Sequence, residues 1–356
     1  MYTLGINAAF HDSAACLVRD GQVIAAAEEE RFTHVKHGKR PIPFSTYELP
    51  YHALDYCLSA GGITLREVDH VAYSFDPYLL LGRHGGEATI TLPLEPSAQP
   101  VAAEWSAPWE PLFLSSIVNA PRQLISGVPL HLRARFRGAR FDGPFRWHFV
   151  NHHLAHAASA FLASPFTSAA VLTLDGRGEL ATTGYYQGEG NSLQLLGQVD
   201  MPHSLGLLYE RITEYLGFLH SSDEYKVMAL ASFGQPAHLD ELRSLIHLKG
   251  DGQYTIDPLR LEERFGEPRL KGGPLEQRHY DLARSLQVVL EETVLRLVAW
   301  LHEQTRVDAL CIAGGVGLNC VLNAQLRDHG PFRQIWVQPA AGDAGTALGA
   351  ALWVDA

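Results

Sequence analysis

The chain has 356 residues, of which 46% are hydrophobic and 19% are charged, and its formal net charge is -11 at pH 7. This length is sufficient for two domains, or for two halves of one large α/β protein with a substantial core. The acidic balance argues against binding of nucleic acid by general electrostatics, because a phosphate backbone requires a basic surface. The basic run at residues 133–140 is interpreted as a solvated linker face, although it could also meet an anionic partner.

The cysteines and the apolar runs indicate the cellular compartment of the protein. The four cysteines, Cys16, Cys57, Cys311 and Cys320, show no C-x-x-C spacing and are interpreted as buried thiols in a reducing compartment. The sequence opens on a strand-like segment without a basic leader, and no stretch reaches about 18 uninterrupted apolar residues. We therefore expect a cytoplasmic protein with no membrane partner.

The first part of the chain alternates short apolar runs with polar turns, a pattern typical of strands. The apolar runs predict a meander of three strands at residues 1–6, 14–18 and 23–27. The first turn of this meander contains His11 and Asp12, and the second contains Asp20-Gly21, a strong hairpin signal. The charged segment 28–37, which includes Lys36, is either a solvated loop or part of a functional site.

The remainder of the first half mixes helices, strands and a proline-rich stretch. Periodicity predicts, in order, a helix at 49–60, a strand at 68–75, a short helix at 112–119 and a strand at 145–150. Residues 76–110 are rich in proline and show little periodicity. We expect an insertion or lid there, because long irregular segments inside compact domains are usually functional.

The opening pattern recurs in the second half of the chain. Three strands are predicted at 169–174, 181–187 and 193–199, followed by helices between 203 and 248. Later elements are a helix at 280–304, a strand at 308–313, a glycine turn at 314–317 and a helix at 318–327. The recurrence predicts two like-folded halves: residues 1–167, with an insertion near 76–147, and residues 168–356, with a helical insertion near 203–275.

An alanine-rich run at residues 151–161 predicts a helix that carries two histidines. His152 and His156 are four residues apart and so lie one above the other on a single helix face. Such a pair is often only a solvated or core-edge feature, but it also forms half of a metal site. Asp175 and Asp343 each come after a predicted strand, and carboxylates at strand ends lie on the ligand-binding edge of an α/β sheet. These four residues are therefore candidate ligands of one divalent metal ion.

The turn between the strand at 308–313 and the following helix contains Gly314 and Gly315. Glycines in this position let the backbone approach a nucleotide, but they can equally serve close packing of helix on strand. Together with the repeated meander and the run Gly342-Asp343-Ala344-Gly345, they resemble the duplicated ribonuclease-H-like architecture of actin and the sugar kinases. That resemblance implies an α/β fold with a nucleotide-binding cleft between its two halves.

Several longer blocks carry a more specific resemblance. They are Gly5–Asn7, Phe10–Ala15, Glu29–Thr33, Lys36–His37, Asn151–Phe161, Pro202–Tyr209, Glu224–Met228 and Gly342–Gly349. In these blocks, which run in order along nearly the whole chain, the sequence resembles O-carbamoyltransferases of the nodulation protein U and tobramycin carbamoyltransferase type. The resemblance implies transfer of a carbamoyl group from carbamoyl phosphate, through a carbamoyl-adenylate made with ATP, onto a hydroxyl of a small molecule such as an antibiotic sugar.

The same resemblance implies roles for individual residues. The metal would usually be iron(II), held by the four ligands named above, although zinc or manganese suits the same donors. His11 matches a histidine of the acceptor site, where it could accept the proton of the attacking alcohol, and Lys36 matches a lysine near the adenylate. With Asp12 beside His11, these three are the candidate catalytic residues. The candidate nucleotide-binding residues are Lys226, Gly314, Gly315 and Asn319.

Two departures from the family pattern stand out. Ala229 occupies a position where the family usually has glycine, and its methyl group could narrow the approach to a ligand. Family members also continue into a YrdC-like domain that makes the adenylate, whereas this sequence ends at Ala356. We expect either an excised transfer domain or a separate YrdC-like adenylating protein, and no use of carbamoyl phosphate and ATP by this chain alone.

Two other functions remain open at this point. A related threonylcarbamoyl transferase that modifies tRNA shares the fold and the histidine pair, but the net charge of -11 offers no obvious tRNA surface. A non-catalytic nucleotide-binding sensor or interaction module is the second alternative. The full set of four candidate metal ligands argues against it, because a module without chemistry has no need of all four.

Overall fold

The computed structural model describes residues 1–38, 49–81, 110–126 and 144–356. These residues form two compact units, Met1–Leu162 together with Asp343–Ala356, and Ala163–Gly342. The basic run at 133–140 and most of the expected insertion near 76–147 lie outside the described residues. The structure assigns the last helix to the first unit rather than to the second half where we expected it, because that helix packs against the first strand and the histidine helix.

The strands are β1 (Tyr2–Asn7), β2 (Ala14–Arg19), β3 (Gln22–Glu28), β4 (His70–Tyr73), β5 (Arg146–Phe149), β6 (Ser168–Leu174), β7 (Ala181–Glu189), β8 (Ser192–Asp200), β9 (Ile246–Leu248), β10 (Tyr254–Ile256), β11 (Ala309–Ala313) and β12 (Gln334–Val337). The helices are α1 (Glu30–Thr33), α2 (Tyr51–Gly61), α3 (Pro77–Leu81), α4 (Glu110–Val118), α5 (Ala120–Ser126), α6 (His152–Phe161), α7 (Leu205–Tyr215), α8 (Glu224–Leu230), α9 (Leu239–Arg243), α10 (Leu261–Phe265), α11 (Gln277–Thr305), α12 (Cys320–His329) and α13 (Ala344–Asp355).

The main sheets of the two units have the same topology. In the first, the order is β3-β2-β1-β4-β5, with β1 antiparallel to β2 and parallel to β4. In the second, the order read from the other edge is β8-β7-β6-β11-β12, with β6 antiparallel to β7 and parallel to β11. Each sheet is thus a three-stranded meander extended by two parallel strands. The protein has the duplicated ribonuclease-H-like α/β fold expected from its sequence.

Local sequence explains how these elements begin and end. Asp20 and Gly21, at the β2–β3 turn, have φ of 48° and 78°, as a tight hairpin turn requires. Each unit has its own apolar core, built around Leu4, Leu17 and Phe75 in the first and around Leu172, Leu286 and Ile312 in the second. Within the described ranges, every helix is too short or too polar to span a bilayer.

Some expectations require correction. The charged segment at 28–37 contains α1 and the start of a 3-10 turn at Lys36–Gly38, and the region expected to be helical up to residue 248 ends in β9, which pairs with β10. A 3-10 turn occupies Gly315–Leu318, so α12 begins two residues later than expected. Three of the cysteines are buried as expected, but Cys320, in the first turn of α12, is exposed.

Candidate functional site

The histidine pair lies in the first two turns of α6. Asn151 caps this helix, since its Oδ1 accepts a hydrogen bond of 2.9 Å from the amide of Leu154. The cap starts the helix one residue before His152, and the side chains of His152 and His156 are both fully buried. Their Nε2 atoms are 3.2 Å apart. The pair therefore has the arrangement on one helix face that its spacing predicted.

Asp343 reaches the same place from α13. It occupies the N-cap position of that helix and is buried. We expected Asp343 at the end of a strand, but β12 ends at Val337 and the intervening residues carry the chain to the start of α13. A β-carbon built on Gly349 would lie 1.8 Å from the carbonyl oxygen of Ala155, and one built on Gly5 would lie 1.9 Å from that of Ala347. Glycine at both positions therefore lets α13 pack directly against the backbone of α6 and β1.

The three side chains form a compact donor set. Asp343 Oδ1 lies 3.5 Å from His152 Nε2 and 3.5 Å from His156 Nε2, and the two nitrogens are 3.2 Å apart. The point in the plane of these three atoms that is equidistant from them lies about 2.0 Å from each, which is the usual length of a metal–nitrogen bond. Two histidines and one carboxylate are also the donor types that hold non-haem iron(II). The residues of the first unit thus fit a mononuclear metal ion without rearrangement.

A polar network behind the donor set fixes its orientation. His152 Nδ1 lies 3.3 Å from the carbonyl oxygen of Ser74, so it can donate its proton there, which places the lone pair of the ring on Nε2, the atom proposed as a ligand. The Ser74 hydroxyl donates to Asn7 Oδ1 at 3.1 Å, and the Thr346 hydroxyl lies 2.8 Å from the Ser74 hydroxyl. The network joins α6, the residue after β4, the end of β1 and α13, so the two helices that carry the ligands are linked through Ser74.

A second cluster contains His11, Asp12 and His37. Asp12 Oδ2 lies 2.9 Å from His11 Nδ1, and Asp12 Oδ1 lies 2.6 Å from His37 Nδ1. Burial acts to raise the pKa of Asp12, but the hydrogen bonds with His11 and His37 outweigh it and hold that pKa well below its usual range. Asn7 supports the turn, because its Nδ2 donates to the carbonyl oxygens of both His11 and Asp12. The cluster is adjacent to the donor set, since His11 Nδ1 is 3.8 Å from Asp343 Oδ2.

Lys36 and Ala229 are both exposed residues. Lys36 is exposed at the start of the 3-10 turn that carries His37. Ala229 is exposed on α8. The roles predicted for these two residues toward ligands remain predictions.

The predicted ligand Asp175 belongs to the second unit, where it follows β6 directly. Its amide donates to the carbonyl oxygen of Thr182, and its Oδ1 accepts a hydrogen bond of 2.9 Å from the amide of Gly315. Gly314 has φ of 96°, and a β-carbon on it would lie 2.1 Å from the carbonyl oxygen of Leu174. The glycine turn therefore serves close packing on the end of β6 and holds the Asp175 carboxylate.

Two more predicted nucleotide-binding residues also have partners inside the second unit. Asn319 caps α12, since its Oδ1 accepts from the amide of Leu322 at 2.9 Å, and its amide group is paired with that of Gln287. Lys226, on α8, is partly exposed, and its Nζ forms an ion pair of 2.9 Å with Asp223. Contact of these residues with a nucleotide remains a prediction.

Sequence reasoning did not assign a role to His37, Asn7, Ser74 or Thr346. His37 stood beside Lys36 in a recognised block, which was the available signal for it. Asn7 and Thr346 also stood in recognised blocks, whereas no block or local pattern distinguishes Ser74 from a solvated serine. Their function in the network depends on contacts between elements distant in sequence.

Comparison with known proteins places this site in a family. The family model described as the carbamoyltransferase N-terminus matches residues 2–79 and 146–352, which include all the candidate site residues. The chain belongs to this carbamoyltransferase family. Membership supports the O-carbamoyltransferase resemblance over the tRNA-modifying one.

Individual relatives match along nearly the whole chain. It is 40% identical to the uncharacterized protein sll1178 of Synechocystis over 99% of this chain and 57% of that protein. It is 39% identical to nodulation protein NolNO of Sinorhizobium fredii over 98% of this chain and 47% of that protein. This family member thus spans about half the length of the curated relatives it matches. Among solved structures, the ADPNP-bound activator of 2-hydroxyisocaproyl-CoA dehydratase from Clostridium difficile is similar over 100% of this chain and 94% of that chain, with a TM-score of 0.47 and 13% identity.

Proposed function

We propose that the chain is the transfer part of an O-carbamoyltransferase, which moves a carbamoyl group from carbamoyl-adenylate to a hydroxyl of a small-molecule acceptor, in natural-product biosynthesis. The observation that carries the proposal is the pairing of a buried two-histidine, one-carboxylate donor set with an adjacent histidine–aspartate cluster in a chain of the carbamoyltransferase family. An acyl-type transfer to an alcohol needs groups that stabilise an oxyanion and a group that takes a proton. The two clusters offer one of each.

The first cluster is proposed to hold one divalent metal ion, which is iron(II) by resemblance to the family. His152 and His156 would bind it through Nε2 and Asp343 through Oδ1, with Asp175 as the fourth ligand. When bound, such an ion supplies a Lewis acid that stabilises negative charge on the carbamoyl oxygen. The chain itself orients the ligands through the Ser74 carbonyl and excludes water by burying all three side chains of the first unit.

The second cluster is proposed to handle the proton. The acceptor hydroxyl oxygen forms a bond to the carbamoyl carbon, the bond from that carbon to the adenylate phosphate oxygen breaks, and AMP leaves. The proton of the hydroxyl passes to Nε2 of His11, because Nδ1 of this ring is engaged with Asp12. Lys36 is exposed and immediately precedes His37 in the chain. It is proposed to attract the negatively charged adenylate.

The donor side is proposed to involve the second unit and another protein. Gly314, Gly315 and Asn319 would line the adenosine pocket, with Lys226 directed toward phosphate. Carbamoyl phosphate would be the ultimate carbamoyl donor and ATP would supply the adenylyl group, with a YrdC-like adenylating protein as the source of carbamoyl-adenylate. The four free thiols fit the reducing interior of a cell, where we place the protein.

The test bypasses the adenylating step. The purified chain, loaded with iron(II), is incubated with synthetic carbamoyl-adenylate and a panel of hydroxylated metabolites, and products are detected by a mass gain of one carbamoyl group. We expect a product with at least one polyhydroxylated acceptor, and at least a hundredfold lower rate for His11→Asn. Equal product formation by the wild-type chain and by a His11→Asn, His152→Ala variant would overturn the assignment of the site. Turnover of carbamoyl phosphate and ATP by the chain alone would contradict the need for an adenylating partner.

A further inference from the structure

We propose that His37 is a positioning residue that sets the orientation and tautomer of His11 through Asp12. The inference builds on the proposed transfer reaction, in which His11 receives the proton of the acceptor. Asp12 uses one carboxylate oxygen for each imidazole: Oδ2 faces His11 Nδ1 at 2.9 Å and Oδ1 faces His37 Nδ1 at 2.6 Å. The carboxylate is thus shared between a ring assigned to chemistry and a ring with no assigned role.

The distances at Asp12 are those of hydrogen bonds and are shorter than the separation expected of two atoms that bind one metal ion. Atoms that share one metal ion through bonds of about 2.1 Å are separated by about 3.0 to 3.4 Å. The separations of 2.6 and 2.9 Å at Asp12 are hydrogen-bond lengths and fall below this range, whereas the separations of 3.2 and 3.5 Å in the donor set of His152, His156 and Asp343 lie within it or just above it. The two clusters therefore have different proposed roles, hydrogen bonding in one and metal binding in the other, although both consist of histidine and aspartate.

The backbone is shaped to hold this arrangement. Asp12 and His37 both have left-handed φ, 51° and 63°, which is unfavourable for residues other than glycine. The amide of Asp12 donates to the carbonyl oxygen of His37 at 3.1 Å, so the two segments are joined through the main chain as well. The amide of His37 in turn donates to Glu30 Oε2 at 2.8 Å. His37 is therefore fixed on both sides, by Glu30 through its backbone and by Asp12 through its ring.

The chemical consequence concerns the tautomer of His11. A carboxylate only accepts hydrogen bonds, so both Nδ1 atoms that face Asp12 must carry hydrogen. His11 then has its lone pair on Nε2, the nitrogen from which it can take the proton of an alcohol. If His37 did not hold Oδ1, the carboxylate could rotate about its terminal torsion, and the hydrogen bond that fixes His11 would weaken.

Substitutions at His37 separate its donor group from its backbone conformation. His37→Gly removes the imidazole while keeping the left-handed backbone easy to adopt. His37→Asn keeps an N–H donor close to the position of Nδ1, and asparagine tolerates the left-handed region. His34, in the same segment, is exposed and also left-handed with φ of 53°, so His34→Gly is the matched control for added backbone freedom.

The decisive measurement is nitrogen-15 NMR of the intact chain, which shows which ring nitrogen of His11 carries hydrogen. The His11 signals are assigned from their loss in His11→Gln. We expect a single Nδ1–H tautomer in the wild type, in His37→Asn and in His34→Gly, and a mixture of tautomers in His37→Gly. An unchanged single tautomer in His37→Gly overturns the proposal, and so does a mixture in the wild type. This measurement needs no turnover, so it tests the positioning role of His37 independently of the proposed reaction.

Activity provides the second readout. With carbamoyl-adenylate as donor, His37→Gly is expected to lower kcat about tenfold with little change in KM for the acceptor, because the residue orients a base and does not touch substrate. His37→Asn should restore most of the rate. A rise in KM with unchanged kcat would instead make His37 a binding residue and contradict the proposal. A tautomer change in a chain that shows no carbamoyl transfer would support the positioning role and reject the proposed function.

Discussion

Gly349 and Ala155 bring two helices into backbone contact at the candidate metal centre. A β-carbon on Gly349 would lie 1.8 Å from the carbonyl oxygen of Ala155, and its next nearest neighbour would be the amide nitrogen of Ser159 at 2.7 Å. These are main-chain atoms of α6, which cannot give way as a flexible side chain would. Any side chain at 349 must therefore move α13 away from α6, and with it Asp343 away from the histidine pair.

We predict that Gly349→Val destabilises the protein by about 3 kcal/mol and lowers its metal content, because overpacking of a tight contact displaces the backbone. Chemical denaturation measures the first effect, and elemental analysis of the purified protein measures the second. Gly197→Ala is the control, since a β-carbon there meets its nearest neighbour at 3.8 Å. Normal metal binding in Gly349→Val would show that the position of α13 does not set the ligand geometry.

The ligand set itself gives a second prediction. His152→Ala and His156→Ala are each expected to reduce bound metal at least tenfold, because each removes one of the donors that surround a common point. His153→Gln alters the neighbouring ring on the same helix, outside the proposed donor set, and should retain the metal. Unchanged metal content in the His152→Ala, His156→Ala double variant would reject the site.

The sequence was informative about these residues to different degrees, for physical reasons. The histidine pair was predictable because helix geometry is local, and Asp175 was predictable because a buried apolar run ends immediately before it. The place of Asp343 was not, because residues 338–342 separate it from β12 and nothing local shows that they lead to a helix N-terminus. The packing of α13 on α6 was also invisible, because small residues such as Gly349 permit close contact without specifying the partner.

The glycine turn shows a similar limit in the second unit. A strand, two glycines and a helix predicted a nucleotide contact, which remains a prediction, and the structure shows that Gly314 and Gly315 also pack against Leu174 and Asp175. Both uses need the same residue type, so sequence could not separate them. The three-stranded meander of each half, in contrast, followed from apolar periodicity and turn residues, whereas the parallel strands that extend each sheet were implied only by the resemblance to the ribonuclease-H-like architecture.

The nucleotide site is best tested at Lys226. A variant such as Gly315→Val would place its β-carbon 2.9 Å from Asp175 Oδ1 and would disturb the carboxylate as well as any pocket. Lys226→Met instead removes a charge from a partly exposed side chain whose observed ion pair is with Asp223. We predict about tenfold weaker binding of ADP by calorimetry with little loss of stability, because the Lys226 end of this ion pair is exposed to solvent and the Asp223 carboxylate keeps the hydrogen bond that it accepts from the amide of Leu219. Equal ADP affinity in the variant and the wild type would exclude Lys226 as a phosphate contact.

A histidine pair away from the site predicts a pH effect on stability. His70 Nδ1 lies 2.8 Å from His148 Nε2 on adjacent strands. Burial, and then the positive charges of protonated His70 and of Arg146, lower the pKa of His148 below 6.5. Below pH 6.5 the unfolded chain then binds more protons at this residue than the folded chain does, so stability falls as the pH drops through this range toward the folded pKa.

The measurement is the free energy of unfolding between pH 7 and pH 5. We expect it to decline less steeply in His148→Gln, which keeps a polar atom near His70 but does not titrate. His70→Asn should give an intermediate slope, because burial and Arg146 still act on His148. Identical slopes in all three proteins would show that this pair does not contribute to the pH dependence.

The thiols provide the last prediction. Burial raises the pKa of Cys57 to about 11 and that of Cys311 to about 12, and it raises the pKa of Cys16 as well. The thiolate is the reactive form, so these three thiols are both inaccessible and protonated at pH 8. Cys320 is exposed at the start of α12. We predict that a disulfide reagent modifies one thiol rapidly in the folded protein and four in denaturant, and that Cys320→Ser abolishes the rapid phase. Rapid modification of a second thiol in the folded state would show that the core of one of the two units opens on the timescale of labelling, contrary to the burial of these three cysteines.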